Sequence, residues 1–157
     1  MSQDFDRFDA AIQLNATQRE RVAQAIHGLR RVVGASDGVV LDTVRELVPQ
    51  GSFTRNTILK PLDDHHTFDV DLLAVGSWSA PNSWGLVTRL GAQTALRMLA
   101  TELRRHHNYT GKVHQKARCV RVEFANQFHL DVVPAVESGG AMEIPDKATD
   151  AWVRTNP

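Results

Sequence analysis

Three aspartates stand where an aspartate is costly. Asp69 and Asp71 lie one residue apart in "FDVDLLAV", residues 68–75, and Asp131 sits in "FHLDVVPAV", residues 128–136, among Leu130, Val132 and Val133. On an extended chain residues i and i+2 share a face, about 6.6 Å apart at the backbone, so Asp69 and Asp71 project together while Val70 and Leu72 face the core. Two carboxylates side by side repel, and each resists leaving water. A divalent cation resolves the conflict. Mg²⁺ takes hard oxygen ligands, keeps several waters and bridges carboxylates to substrate phosphates; Mn²⁺ suits the same oxygens. Asp131, on a neighbouring strand, would complete a two-metal site. A D-x-D pair alone is weak evidence, because such pairs often lie on solvated strand faces. Here Gly51-Ser52 follows the apolar "VRELV" and could open a helix, whose backbone N–H groups cradle phosphates while the serine hydroxyl adds a donor. Phosphate cradle, carboxylate pair and third carboxylate are the parts that nucleotidyl transfer needs. One metal activates the attacking hydroxyl, and the other neutralises the triphosphate and the leaving pyrophosphate.

The elements that must position these groups can be read from period and punctuation. "TQRERVAQAIHGLRRVV" reads as a helix, with Thr17 and Glu20 as a capping box, Val22, Ile26, Leu29 and Val33 on one face, and Gly34 as the stop. "VRELV" and "FDVDLLAV" read as strands, and residues 76–85, rich in Gly, Ser and Pro, as a loop. Leu86, Leu90, Leu96, Leu99 and Leu103 predict a helix over 86–105. "NYTG" turns the chain. "KVHQKARCVRVEF" and "FHLDVVPAV" read as two strands joined by a hairpin at Ala125-Asn126-Gln127, and the tail from residue 138 as loop with room for a short helix. Helices interleaved with sequential strands predict a small mixed α/β sheet flanked by helices, preceded by an arm over residues 1–14.

Composition excludes several classes. A chain of 157 residues with 42% apolar content is long enough for one domain with a real core. Eighteen basic residues balance eighteen acidic ones, so no overall positive charge calls for a nucleic-acid partner. The single cysteine excludes an internal disulfide framework and fits a reducing compartment. No apolar run reaches membrane-spanning length, and the acidic N-terminus is wrong for a secretory signal. The expectation is a soluble cytoplasmic protein.

Taken together, "QGSFTRNTILKPLDDHHTFDVDLLAV", "RCVRVEF", "FHLDVVPAV" and the closing "IPD…W…TNP" resemble the polymerase-beta-type nucleotidyltransferase superfamily. Within it they are most similar to the bacterial cyclic GMP-AMP synthase-like enzymes (CD-NTases, SMODS nucleotidyltransferase domain). The resemblance runs from about residue 15 to 157. It implies an enzyme that condenses nucleoside triphosphates, ATP or GTP among them, into a cyclic di- or trinucleotide that activates an effector in anti-phage defence. Carried over by position, Asp69, Asp71 and Asp131 would hold two Mg²⁺ ions. Gln50, Gly51 and Ser52 would contact the triphosphate. Lys60, by its place between the Gly-Ser turn and the D-x-D pair, reads either as a further phosphate contact or as a surface lysine. The resemblance also implies a helical second domain after "TNP" that closes over the nucleotides and is absent from this chain, and it allows a regulatory protein partner. Two other readings stay open: a stand-alone nucleotidyltransferase that modifies a protein or tRNA, as in toxin–antitoxin systems, and a catalytically silent nucleotide-binding module.

Other residues invite sharper readings than they support. In His65-His66 and His106-His107 adjacent side chains point apart, a poor chelate. The basic series Arg104, Arg105, Lys112, Lys116, Arg118, Arg121 reads as a solvated face. Trp78 and Trp84 are expected to pack against the long helix rather than stack on a base, and Cys119 to be a core residue on a strand.

Overall fold

The computed structural model describes residues 13–34, 44–55, 58, 67–125 and 127–155. The expected arm over residues 1–14, apart from Gln13 and Leu14, lies outside them, as do Lys60 and His65-His66.

Helix α1, Ala16–Gly34, buries Val22, Ile26, Leu29 and Val33, the face that the spacing predicts. Its cap differs. Asn15 accepts from the Gln18 N–H through Oδ1 at 2.8 Å, and Gln18 accepts from the Asn15 N–H through Oε1 at 3.0 Å, so the reciprocal box is Asn15–Gln18 rather than Thr17–Glu20. Asparagine at this position does what serine or threonine does, two residues earlier than expected. Strand β1, Val44–Gln50, runs directly into a single helical turn, α2, Gly51–Thr54. Strand β2, Phe68–Gly76, comes next.

The stretch after β2 departs from the expected loop and long helix. Strands β3, Ser79–Pro81, and β4, Val87–Arg89, form a small hairpin of their own. Helix α3 is Ala92–Arg105, capped at Gly91 rather than starting at residue 86. Leu86 fits the helical period but is exposed at the hairpin tip with Trp84 and Val87. The start of α3 is fixed from elsewhere: Asp150, in the turn before the last strand, accepts from the Gln93 N–H through Oδ1 at 2.8 Å and caps the helix across the fold. Trp78 is fully buried, and its indole N–H donates to the Ala74 carbonyl at 2.9 Å, so of the two tryptophans only this one packs as expected.

The strand expected over 112–124 is two, β5, Val113–Gln115, and β6, Val120–Phe124, joined by a tight turn closed by the Lys116 N–H on the Cys119 carbonyl. Cys119 therefore sits half-buried in a turn, not on a strand. Strand β7, Phe128–Ser138, completes the expected hairpin. The tail is neither loop nor helix: Gly139 and Gly140, at φ +58° and +76°, turn the chain into β8, Ala141–Asp146, which pairs with β9, Ala151–Thr155.

These strands build a mixed seven-stranded sheet in the order β1–β2–β7–β6–β5, with β8 and then β9 joining beyond β7. Only β2 and β7 are parallel among the described strands; the other pairs are antiparallel. One face carries Val70, Leu72, Leu130 and Val132 into a core shared with Leu29 of α1 and Leu96, Leu99 and Leu103 of α3. The apolar face of α3 is thus covered by the chain's own sheet. On the opposite face Leu73, Val75 and Ala135 form a small second cluster with Met142 and Ile144 of β8. That cluster stops short of Asp69, Asp71 and Asp131, and the aspartates are left on the open part of the same face.

Candidate active site

Strand register brings the three aspartates together. β2 and β7 run parallel with Asp71 directly opposite Asp131 and Asp69 opposite His129, so the two backbones lie about 4.8 Å apart at the site. Alternation does the rest. Asp69 and Asp71 are exposed between buried Phe68, Val70 and Leu72, while Asp131 is 9% exposed. Charge is therefore held on a sheet whose other face is solid hydrocarbon, and a one-residue slip of either strand would drive a carboxylate into it.

The phosphate-cradle candidates adjoin the same point. Gln50, the last residue of β1, pairs with Asp71. Gly51 has φ +69°, and a Cβ placed there would lie 2.9 Å from Asp71 Oδ2. Glycine is required twice over, for the left-handed backbone and for the close approach to the carboxylate. Ser52 is next along the single turn of α2. The structure thus brings Gln50, Gly51 and Ser52 to Asp71, and Asp69 and Asp131 to its flanks. Lys60 lies outside the described residues.

The sequence places Arg121 on a solvated face, and the structure corrects this. Its guanidinium donates from Nε to Asp131 Oδ1 and from Nη2 to Asp131 Oδ2, both at 2.8 Å, and Nη2 also stands 3.1 Å from Asp69 Oδ2. A planar fork on a carboxylate is the strongest form of this contact. The signal is present in the chain: Arg121 and Asp131 are equally far from Asn126, the centre of the predicted hairpin, so they must face each other across it. His129 adds a second unforeseen contact, with Nδ1 at 3.1 Å from Asp69 Oδ1 and 3.3 Å from Thr67 Oγ1.

The electrostatics arise from this crowding. The Asp71 carboxyl is pushed above its ordinary value, first by partial burial and then by the charges of Asp131 and Asp69, with Arg121 pulling the other way. Among the described residues no ion pair reaches Asp71. The Cys119 thiol, beside Asp131, is pushed up to about 12 by burial and by that carboxylate. The Asp131 carboxylate and burial act in opposite directions on Arg121; the carboxylate prevails, and the guanidinium is held more firmly charged.

A donor set of three carboxylates on two adjacent strands, one of them without an ion pair among the described residues and held above its usual range, fits a hard divalent cation by its chemistry. Among the described residues no three such side chains are already disposed around an ion position; Arg121 Nη2 stands 2.8 Å from Asp131 Oδ2 and 3.1 Å from Asp69 Oδ2.

The profile of the Second Messenger Oligonucleotide or Dinucleotide Synthetase domain family matches residues 1–157. A c-di-GMP synthase of Roseivirga ehrenbergii is 24% identical over 151 residues, covering 94% of this chain and 38% of that protein. Among solved structures, the Bradyrhizobium diazoefficiens CD-NTase CdnG in complex with GTP superposes with a TM-score of 0.74 at 22% identity, over 94% of this chain and 41% of that one. The Escherichia coli MS115-1 CdnC:HORMA-deltaN complex gives 0.59 at 21% identity, over 98% and 46%. The chain therefore spans less than half the length of these relatives. It shares their fold, a mixed α/β core in which a twisted sheet is flanked by helices.

Proposed function

Because the chain belongs to the Second Messenger Oligonucleotide or Dinucleotide Synthetase domain family, we propose that it is the catalytic part of a cyclic oligonucleotide synthase that joins nucleoside triphosphates. In each transfer a ribose hydroxyl oxygen attacks an α-phosphorus, a new phosphodiester bond forms, the bond to the β-phosphate breaks, and pyrophosphate leaves. A second transfer within the linear product closes the ring. The observation that carries this reading is the opposition of Asp71 and Asp131 across β2 and β7, with the Gly51-Ser52 turn pressed against Asp71.

Each residue then has a part that its position allows. Asp69, Asp71 and Asp131 would hold two Mg²⁺ ions, with Mn²⁺ able to replace them; when bound, these supply charge for the triphosphate and lower the pKa of the attacking hydroxyl. Gly51 offers a backbone N–H without a side chain in the way, and Ser52 a hydroxyl, to the phosphates beside Asp71. Gln50 fixes the entry of that turn by pairing with Asp71. Lys60 is a further phosphate contact in this reading. ATP and GTP are the proposed substrates; GTP is the ligand of the CdnG relative and cyclic di-GMP the product of the Roseivirga one. A regulatory protein partner is proposed by analogy with the CdnC complex. Anti-phage signalling in a bacterial cytoplasm, where triphosphates are supplied, is the biological setting of this proposal. Among the described residues no helix is long and apolar enough to cross a membrane.

The test is product chemistry. The protein is incubated with α-labelled ATP and GTP and Mg²⁺, and the products are treated with phosphatase. A phosphatase-resistant labelled cyclic product that disappears in Asp71→Asn supports the proposal. Label transferred to a macromolecule, or no turnover by the full-length protein with each candidate partner added, refutes it.

A further inference from the structure

Arg121 occupies the place where a cation would have to act. Both oxygens of Asp131 and one of Asp69 face its guanidinium at 2.8, 2.8 and 3.1 Å. The other Asp69 oxygen faces His129 at 3.1 Å. Of the three carboxylates only Asp71 has no ion pair among the described residues, and its two like-charged neighbours are both turned toward Arg121. The Arg121 side chain is 22% exposed and Asp131's is 12% exposed, so water screens this pair only in part.

We propose that Arg121 is a built-in counter-ion that competes with divalent metal for Asp131 and Asp69, and that it yields the two carboxylates only when metal and triphosphate arrive together. The inference rests on the metal reading of the three aspartates. A guanidinium and a divalent cation cannot both sit between Asp131 and Asp69 without strong repulsion, so metal must shift Arg121 to reach them. The displaced guanidinium keeps its charge and its planar fork, which match phosphate oxygens as well as they match a carboxylate. A triphosphate thus gives Arg121 somewhere to go. Metal alone does not, so metal alone binds weakly, and metal and nucleotide bind cooperatively.

Removing the competitor should therefore strengthen binding of metal alone. If Arg121 merely braced the carboxylates, its removal would weaken that binding instead. The probe is Mn²⁺ without nucleotide, titrated into the full chain and monitored by the paramagnetic signal of the free ion. Arg121→Met keeps the length and removes charge and fork; Arg121→Gln is a second neutral variant should methionine disturb folding, and both are checked by thermal unfolding in EDTA. The expected result is Mn²⁺ affinity about tenfold tighter than in the parent, on the scale of one charge-assisted hydrogen bond, together with a smaller gain in Mn²⁺ affinity when a non-hydrolysable triphosphate is added. Equal or weaker Mn²⁺ binding in folded variants overturns the inference and leaves the metal reading standing. If the parent binds no Mn²⁺ even with triphosphate present, and the variants bind none, the metal reading falls and the inference falls with it.

Discussion

Gly51 is the point at which a single methyl group tests both backbone and site. Gly51→Ala introduces two separable effects. The first is conformational. At φ +69° an L-residue costs about 1–2 kcal/mol, offset by about 0.4–1 kcal/mol because alanine has fewer unfolded states to lose. The net loss is about 1 kcal/mol, a fall in Tm of about 2–4 °C for a domain of this size. The second effect is local. The new Cβ would stand 2.9 Å from Asp71 Oδ2, and ordinary contact begins at 3.4 Å, so the carboxylate must retreat by about 0.5 Å. A displacement of that size at a positioned catalytic group costs about tenfold in rate or in ligand affinity. Urea unfolding reads the first effect; calorimetric titration of a triphosphate with Ca²⁺, which supports binding without turnover, reads the second. Gly51→Asn separates them, because asparagine enters the left-handed region far more readily but still carries a Cβ. Stability should return toward the parent while triphosphate binding stays impaired. If Gly51→Asn restores both, or if Gly51→Ala binds triphosphate as the parent does, then the approach of Gly51 to Asp71 has no part in the site.

Two further predictions concern the same few ångströms. Asp71→Asn in the metal-free protein should be at least as stable as the parent at pH 7: the folded carboxyl is raised, so the penalty that its charged form imposes is absent below the unfolded value of 3.8, grows as pH rises through the folded value, and is complete above it. Urea midpoints of both proteins from pH 3 to 7 check this; they should diverge as pH rises, and an Asp71→Asn protein weaker by several kcal/mol at pH 7 would make the aspartate a structural residue. Ser52→Ala should weaken triphosphate binding in the presence of Ca²⁺ roughly ten- to hundredfold, the worth of one hydrogen bond to a charged phosphate, with the circular dichroism of the fold unchanged; unchanged affinity would remove the hydroxyl from the cradle.

The centre of the fold is legible in the sequence because β2 and β7 obey the strictest local rules. Alternation along residues 68–72 puts Val70 and Leu72 on one face and Asp69 and Asp71 on the other, and no helix can bury the first pair while exposing the second. The pairing of Asp71 with Asp131 is harder to read, since parallel partners are chosen by the whole sheet and not by a turn. Sequence and structure part where a local pattern has two solutions. Leu86 and Leu90 continue the period of α3 by coincidence, but the cap at Gln93 comes from Asp150, far along the chain, and no helical window contains it. In the tail, glycine and proline outweigh a weak alternation and suggest a loop, although Gly139-Gly140 between two extended runs is a hairpin signal. Arg121 looks like one more solvated cation when charge is counted along the chain, and its partner emerges only when charge is counted across the hairpin.

The parallel pairing of β2 with β7 also bears on the order in which the molecule comes together. Residues 77–127 lie between the two strands, whereas only three residues, 125–127, separate β6 from β7. Loop closure favours the short connection, so the expectation is that the β6–β7 hairpin forms with Arg121 already facing Asp131, before β7 finds β2. Asp71 then meets Asp131 only at the last docking step, when Val70 and Leu72 are buried in the same movement. On that route the repulsion between the two carboxylates is absent from the nucleus and present in the finished sheet. A bound cation would leave the folding rate almost untouched and act on unfolding, holding shut a seam that is last to form and first to part.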